Sequence, residues 1–256
     1  MKKEYFFKDV TLLITHYNRS KSLENLLKSF REQNCKFEDI VVSDDGSKPK
    51  HFEYLHSLQR EFGFRLISTP VNKGLGNNIN KGQDAVMTPL TLYVQEDFVP
   101  TSIFAQSFTE ALDLINSKPK IDIIRFYAYF EYPYLKNPVN GFYEMAFKVW
   151  KSGYKKFYVY SDHPHLRRSN FFDKFGKYVE GQKGDVTEYS MMMSFLKKGG
   201  KALFYKNFQN LFVQSNSEAE PSTMKRNVWR ESNHFLMVQL RHLYRHLKFN
   251  YNYLLD

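Results

Sequence analysis

The chain has 256 residues, 42% of them apolar and 17% aromatic, and 37 Lys and Arg against 27 Asp and Glu leave a formal net charge of +10. This composition excludes a disordered chain and leaves room for a substantial core; the single cysteine, Cys35, excludes an internal disulfide or a cysteine-rich zinc site and points to a reducing compartment. No run approaches the ~18 apolar residues of a membrane span, and the opening "MKKEYFFKDV" lacks a signal peptide's apolar stretch, so a cytoplasmic protein is expected, at most peripheral on the inner face of a membrane.

The first half alternates between two periodicities. "VTLLIT" (10–15) is an apolar, β-branched run that reads as a buried strand. Leu23, Leu26, Leu27 and Phe30 follow at helical spacing, with Ser20 or Ser22 as the expected N-cap. "DIVVS" (39–43) is a second strand, ended by the turn signal "DDGSKP". Phe52, Leu55 and Leu58 mark a second helix, "FRLIST" (64–69) a third strand, residues 79–86 a third helix and "LTLYV" (90–94) a fourth strand. Strand and helix in alternation specify a parallel sheet with helices on its faces.

The second half is less regular. "IDIIRFYAYFEY" (121–132) and "KKFYVYSD" (155–162) read as strands. A helix is expected to start near Asp185–Thr187 and stop at Gly199-Gly200, and "ALFY" (202–205) is a last short strand. From about residue 216 a polar linker leads into a basic amphipathic helix, in which Leu236, Leu240, Leu243 and Leu247 form one stripe. The positive charge concentrates late: residues 148–178 hold eight Lys or Arg against two Asp, and 221–256 six against two acids. Such a balance suggests a polyanionic partner, whether nucleic acid, an anionic membrane surface or an acidic substrate.

Ligands of parallel α/β sheets bind beyond the carboxyl ends of the strands. "THYNR" follows the first strand, "SDDGS" the second, "NKGLGNN" the third and "QED" the fourth. Four polar clusters therefore fall at one edge of one sheet. "NKGLGNN" lacks the G-x-x-x-x-G-K-[ST] spacing of a phosphate-binding P-loop.

Read together, "THYNR" (15–19), "SDDGS" (43–47), "NKGLGNNINKG" (72–82) and "QED" (95–97) resemble the motifs of family 2 glycosyltransferases. "HLRRSNFFDKFGKYVEG" (165–181) and "DVTEYSMMMSFLKKGGKALF" (185–204) are similar to that family's acceptor-side segment and catalytic helix. The resemblance implies a GT-A (Rossmann-like) α/β fold: a mostly parallel central sheet flanked by helices, with a C-terminal helical extension. It implies one glycosyltransferase domain over 1–215, with a donor half at about 1–100 and an acceptor half at about 101–215, before the linker and helix of 216–256. The activity implied is inverting transfer of a sugar from a nucleotide-sugar, a UDP-sugar as first guess, to a glycan or lipid-linked hydroxyl in bacterial surface polysaccharide assembly.

The same resemblance suggests roles for individual residues. Tyr17 would stack or pack beside the base, Thr15 would offer a backbone or hydroxyl hydrogen bond, Asp45 would accept from the base's ring N–H, and Asp44 would be structural. Arg19 and Lys73 would face the pyrophosphate, next to Gly74. The family's usual D-x-D motif is replaced by Gln95-Glu96-Asp97, so Asp97 would hold a divalent metal, Mn²⁺ or Mg²⁺, and Glu96 would face the ribose or a metal-bound water. Glu188 stands where the family places its base, with Asp185 as competitor; the same D-x-x-E spacing also fits a capping box. His165 and Arg167 are candidates for acceptor or phosphate contacts, and one of Arg167 and Arg168 is expected to be solvated.

Two other readings remain at this level. A sugar-nucleotide nucleotidyltransferase would want a glycine-rich, lysine-bearing loop after the first strand, where "THYNR" stands. A non-catalytic nucleic-acid-binding module would suit the charge and the aromatics, but the carboxylates cluster where a phosphate backbone would be repelled, so no nucleic-acid partner is expected. The tail, over 228–249, is expected either to pack on the domain or a second subunit, or to lie on an anionic membrane.

Overall fold

The computed structural model describes residues 3–215, 220 and 235–255, with 235 and 236 described by backbone alone. Strands β1 (Tyr5–His16), β2 (Cys35–Asp44), β3 (Arg65–Ser68) and β4 (Leu90–Gln95) run parallel in the order β3-β2-β1-β4. Leu12, Leu13 and Ile14 are all fully buried, because a central parallel strand is covered on both faces and so reads as a continuous apolar run. The register pairs Thr15 with both Ser43 and Gln95, which brings the ends of three strands level.

Helices α1 (Ser20–Glu32), α2 (Pro49–Phe62) and α3 (Leu75–Asp84) connect these strands. In α1, Leu23, Leu26, Leu27 and Phe30 are buried, each contributing about 1.5–3 kcal/mol of apolar burial. They join one core with Leu12, Ile14, Phe104 and Phe108, while Leu13, Val41, Ile79 and Tyr93 belong to a second core that includes Phe171 and Phe195. A side chain on Gly82 of α3 would meet Leu13 Cδ1 at 2.7 Å, so glycine allows the helix its close approach to β1.

The rest of the sheet departs from the parallel pattern. β5 (Phe98–Pro100), α4 (Phe104–Ser117), β6 (Ile123–Arg125), the hairpin β7 (Leu135–Val139) and β8 (Phe142–Met145), β9 (His165–Arg168), α5 (Phe171–Phe175), α6 (Gly184–Lys197), β10 (Ala202–Tyr205) and β11 (Phe212–Gln214) follow in sequence. Among the described residues the full order is β3-β2-β1-β4-β9-β6-β10-β8-β7, with β9 antiparallel to both β4 and β6. β5 and β11 form a separate antiparallel pair.

Three local expectations are corrected. The strand expected over 121–132 is only three residues long. The strand expected over 155–162 is replaced by a 3₁₀ turn, Tyr154–Phe157, and coil. Phe157, Val159 and Tyr160 are buried in succession without alternating faces, and Lys156, fully buried, donates from Nζ to the carbonyls of Val149 and Lys151; this segment crosses the interior, and β9 takes the sheet position between β4 and β6. Neither serine caps α1, whose N-cap is Arg19. Instead the Glu220 carboxylate accepts from Lys21 N at 3.0 Å and Ser22 N at 2.9 Å, satisfying open helix-terminal donors from a distant point in the chain.

Apart from Glu220, the linker lies outside the described residues as far as 234. The final helix, α7 (Phe235–Leu255), packs back onto the domain: Phe249 meets Phe157 at 5.6 Å, Tyr253 meets Phe147 at 5.0 Å, and Asn252 Nδ2 donates to Tyr189 Oη at 2.8 Å. The packed face is not the leucine stripe. Leu240, Leu243 and Leu247 are exposed, as are Tyr251, Leu254 and Leu255; the side chain of Leu236 lies outside the description. Among the described residues no helix is long and apolar enough to cross a membrane.

Candidate active site

A cleft of about 610 Å³ opens where the strands of the parallel half end. β1 delivers Thr15, His16, Tyr17 and Arg19; the β2 turn delivers Asp45; β4 delivers Gln95, Glu96 and Asp97; the start of α3 brings Gly74, Leu75 and Asn78. The opposite wall carries Asp162, His163, Asp185 and Glu188.

The two aspartates after β2 have separate jobs. Asp44 accepts from Ser47 N and Ser68 Oγ at 3.1 and 2.8 Å and pairs with His16 Nδ1 at 2.9 Å. Burial opposes its ionisation, but these partners outweigh burial and hold its carboxyl down to about 2. Asp44 is a structural anchor. Asp45 accepts from the backbone N–H groups of Lys73 and Gly74 at 2.8 and 2.9 Å, so it fixes the loop ahead of α3 at the cleft edge. Burial raises its pKa, against those two hydrogen bonds. Gly46, at φ +68°, makes the turn just after the two aspartates, and a side chain there would meet Val71 C at 2.4 Å.

Thr15 Oγ1 is hydrogen-bonded to Tyr93 Oη at 3.1 Å. Lys73 is exposed and contributes its backbone. The lysine nearer the acids is Lys81, in the last turn of α3; burial lowers its pKa to about 8, against the attraction of Asp45 and Asp44. Sequence reading passed over Lys81 because it sits inside a helical run.

Glu96 and Asp97 lie at the end of β4 with Arg19 between them. Arg19 Nη1 is 3.0 Å from Asp97 Oδ2 and 3.6 Å from Glu96 Oε1, and Gln214 Nε2, from β11, donates to Asp97 Oδ2 at 2.9 Å. Burial, then the charge of Asp97, push the Glu96 carboxyl up to about 8 despite Arg19. Among the described residues no three His, Cys, Asp or Glu side chains gather into a metal cage. With Glu96 raised in this way, Arg19 offsets the charge that remains on the pair; a divalent cation would draw off the Glu96 proton, and two carboxylates suffice for a cation that takes its remaining oxygens from a bound diphosphate and water.

On the opposite wall α6 begins at Gly184 with Lys183 as N-cap and no side-chain capping bond, so Asp185 and Glu188 do not form a capping box. Glu188 Oε1 accepts from the backbone N–H of Asp162 at 3.2 Å. Burial raises the Glu188 pKa, partly offset by that hydrogen bond and by Arg125, and the charge of Asp185 raises it further. Arg125 is held behind this wall, donating from its two terminal nitrogens to Tyr158 O and Ser161 Oγ, each at 2.6 Å.

His165 and Arg167 stand apart from the cleft. Alternating residues of β9 place both inside the sheet layers, and both are fully buried. His165 faces Tyr93, ring to ring at 5.3 Å; Arg167 donates to Gln83 Oε1 at 3.0 and 2.7 Å and lies over the rings of Tyr93, Phe171 and Phe172. Arg168 is half-buried, so it is the more solvated of the two arginines, and it donates to the carbonyls of Ile115, in α4, and Ile121, just beyond it. On this wall the histidine that lines the cleft is His163, two residues before His165, where burial and then Arg125 lower its pKa to about 3.

The sequence model of "Glycosyl transferase family 2" matches residues 11–176, which spans β1 to α5. The chain belongs to glycosyl transferase family 2. A cholesterol galactosyltransferase of Borreliella burgdorferi is 24% identical over 228 residues, covering 81% of this chain and 62% of that protein. A poly-β-1,6-N-acetyl-D-glucosamine synthase of Staphylococcus epidermidis is 25% identical over 73 residues, 28% of this chain and 18% of the synthase. The chain thus spans under two thirds of either relative. Among solved structures, S. aureus TarS 1–349 in complex with UDP-GlcNAc superposes with a TM-score of 0.64 at 15% identity, over 95% of this chain and 74% of that one. The mannosyltransferase PcManGT from Pyrobaculum calidifontis, in complex with GDP-Man and Mn²⁺, gives 0.54 at 12% identity over 96% and 67%. These likenesses bear out the GT-A fold of this family 2 chain.

Proposed function

We propose that this family 2 protein is an inverting glycosyltransferase that moves a sugar from a nucleotide-sugar to an acceptor hydroxyl in surface glycan assembly. The observation that carries the reading is the placement of two acidic pairs on facing walls of one cleft, Glu96–Asp97 at the strand ends and Asp162–Glu188 at the start of α6. Thr15, Tyr17, Asp45 and the Gly74 edge would take the nucleoside, and Arg19 is placed to turn from Asp97 toward a diphosphate. Asp97, with Glu96 beside it, would hold a divalent cation, Mn²⁺ or Mg²⁺, which when bound offsets the charge developing on a departing diphosphate.

Glu188 serves as the base. Its carboxylate takes the acceptor hydroxyl's proton as that oxygen bonds to the anomeric carbon, while the bond from that carbon to the diphosphate breaks and its electron pair leaves with the diphosphate. A UDP-sugar is the donor this reading favours, in keeping with the UDP-GlcNAc complex of the TarS structure. Titration calorimetry of UDP, GDP, dTDP and CDP, each with and without Mn²⁺, tests the donor site. One nucleotide binding only with metal, weakened tenfold or more by Asp97→Asn, is the expected result; four nucleotides silent under both conditions would remove the reading.

The exposed stripe of α7, with Arg241, Arg245 and Lys248 along one flank, supports peripheral attachment to an anionic membrane, where a lipid-linked acceptor would reside. Flotation with phosphatidylglycerol vesicles should carry the wild type, and Leu243→Glu should release it. Equal behaviour of the two would discard the attachment.

A further inference from the structure

The reading above gives Asp162 no chemical role of its own, yet this acid is closely held. It is 4% exposed. Its Oδ1 accepts from two buried phenols, Tyr160 Oη and Tyr178 Oη, each at 3.2 Å, and these phenols also contact each other. Arg167 Nη1 reaches Tyr178 Oη at 3.5 Å from behind. The other oxygen, Oδ2, is buried and has no hydrogen-bond partner among the described residues. The residue lines the cleft, and its backbone N–H donates to Glu188 Oε1.

A buried carboxylate oxygen without a donor is costly, and such a group in a native fold calls for a partner that the protein alone does not supply. Two phenols on Oδ1 fix the plane of the carboxylate and so the direction of Oδ2. The backbone hydrogen bond from Asp162 to Glu188 sets the two carboxyl groups in one corner. Each therefore offers an oxygen to the same ligand, side by side. Neighbouring hydroxyls on one ring match that arrangement; a lone hydroxyl meets only one of the two acids. The burial and the charge of Glu188 that raise the Asp162 pKa give the corner a further reason to take hydroxyl donors in preference to anions.

Building on the transferase reading, we propose that Asp162 positions the acceptor, accepting through Oδ2 a hydrogen bond from one hydroxyl of a vicinal diol while Glu188 takes the proton of the other. The acceptor then carries neighbouring hydroxyls, as a sugar ring does, and is not a monohydric alcohol. Asp162 keeps its protonation state through the reaction: one proton moves, from the attacking hydroxyl to Glu188, and one bond to the anomeric carbon replaces another.

The test uses the full chain saturated with whichever nucleotide the calorimetry identifies. Binding of methyl glucoside, galactoside, mannoside and N-acetylglucosaminide is followed by saturation-transfer NMR, against their monodeoxy analogues and cyclohexanol. The wild type should bind one glycoside and discriminate against at least one of its deoxy analogues about tenfold. Asp162→Asn should erase that discrimination, and with the matching nucleotide-sugar should raise the acceptor KM more than it lowers kcat. Tyr178→Phe, which frees one hold on Oδ1 and keeps the carboxylate, should fall between them. Unchanged nucleotide affinity in both variants shows that the fold and the donor site survive.

Discrimination that persists in Asp162→Asn would reduce the residue to a structural role and overturn the proposal. So would cyclohexanol binding as well as any glycoside, or no glycoside binding to the nucleotide complex. A loss confined to nucleotide-sugar affinity would move Oδ2 to the donor sugar, again against it. Failure of every nucleotide to bind the wild type would instead strike the transferase reading itself.

Discussion

The two acidic walls of the cleft are built on opposite electrostatic plans. On the strand-end wall, Glu96 and Asp97 share Arg19, a cation that lines the cleft with them and sits within 3.6 Å of both. On the α6 wall, the cation nearest Glu188 is Arg125, buried and bound to carbonyl and hydroxyl oxygens behind the pair. One wall holds its positive charge where a ligand can take its place; the other keeps it out of reach and leaves its acids facing the cleft. The first suits a diphosphate and a cation. The second suits proton transfer, because burial raises the Glu188 pKa from the ordinary carboxylate range toward that of a useful base.

The largest effect that distinguishes the walls is expected from Glu188→Gln. Removing a general base typically loses two to four orders of magnitude, so turnover should fall about a thousandfold. Retained turnover would transfer the role to Asp185 and dissolve the contrast. A smaller effect is expected from Asp185→Asn. The Asp185 charge raises the Glu188 pKa, and the base works deprotonated. Its removal should therefore let Glu188 lose its proton at lower pH, and the acid limb of the pH–rate profile should move down with the maximum preserved. A limb that moves upward, or a maximum lost altogether, would contradict the assignment of Glu188 as the base and Asp185 as its neighbour.

How much of this was legible in the sequence follows the regularity of the sheet. In β1, β2 and β4 runs of consecutive residues are buried on both faces and the helices carry their apolar residues every third or fourth position, so elements and order could be read from periodicity. The parallel register then places "THYNR", "SDDGS" and "QED" at one edge without further information. Beyond β4 the pattern weakens. β9 is recruited from a distant segment to pair antiparallel with β4, and its four residues leave no periodicity to read. His165 and Arg167 carry polar side chains into the interior, where His165 Nδ1 meets the His163 carbonyl and Arg167 is held by Gln83, so their chemistry pointed to the cleft while their position in the sheet did not. Asp162 was missed for the converse reason: it lies in coil that looked like a strand, and its neighbours in space, Tyr178 and Glu188, are 16 and 26 residues away. The Asp185–Glu188 spacing was ambiguous in sequence between cap and site, and the helix start at Gly184 settles the capping question, since Glu188 is held by Asp162 instead.

The most direct measurement is nucleotide calorimetry in the presence of Mn²⁺ on Glu188→Gln and Asp97→Asn side by side, with turnover of the matching nucleotide-sugar followed in both. If the walls divide the work, Glu188→Gln keeps wild-type nucleotide affinity while turnover collapses, and Asp97→Asn loses the metal-dependent part of the affinity. If Glu188→Gln loses nucleotide affinity as far as Asp97→Asn does, the two walls form one binding site and the separation of donor binding from proton transfer is wrong.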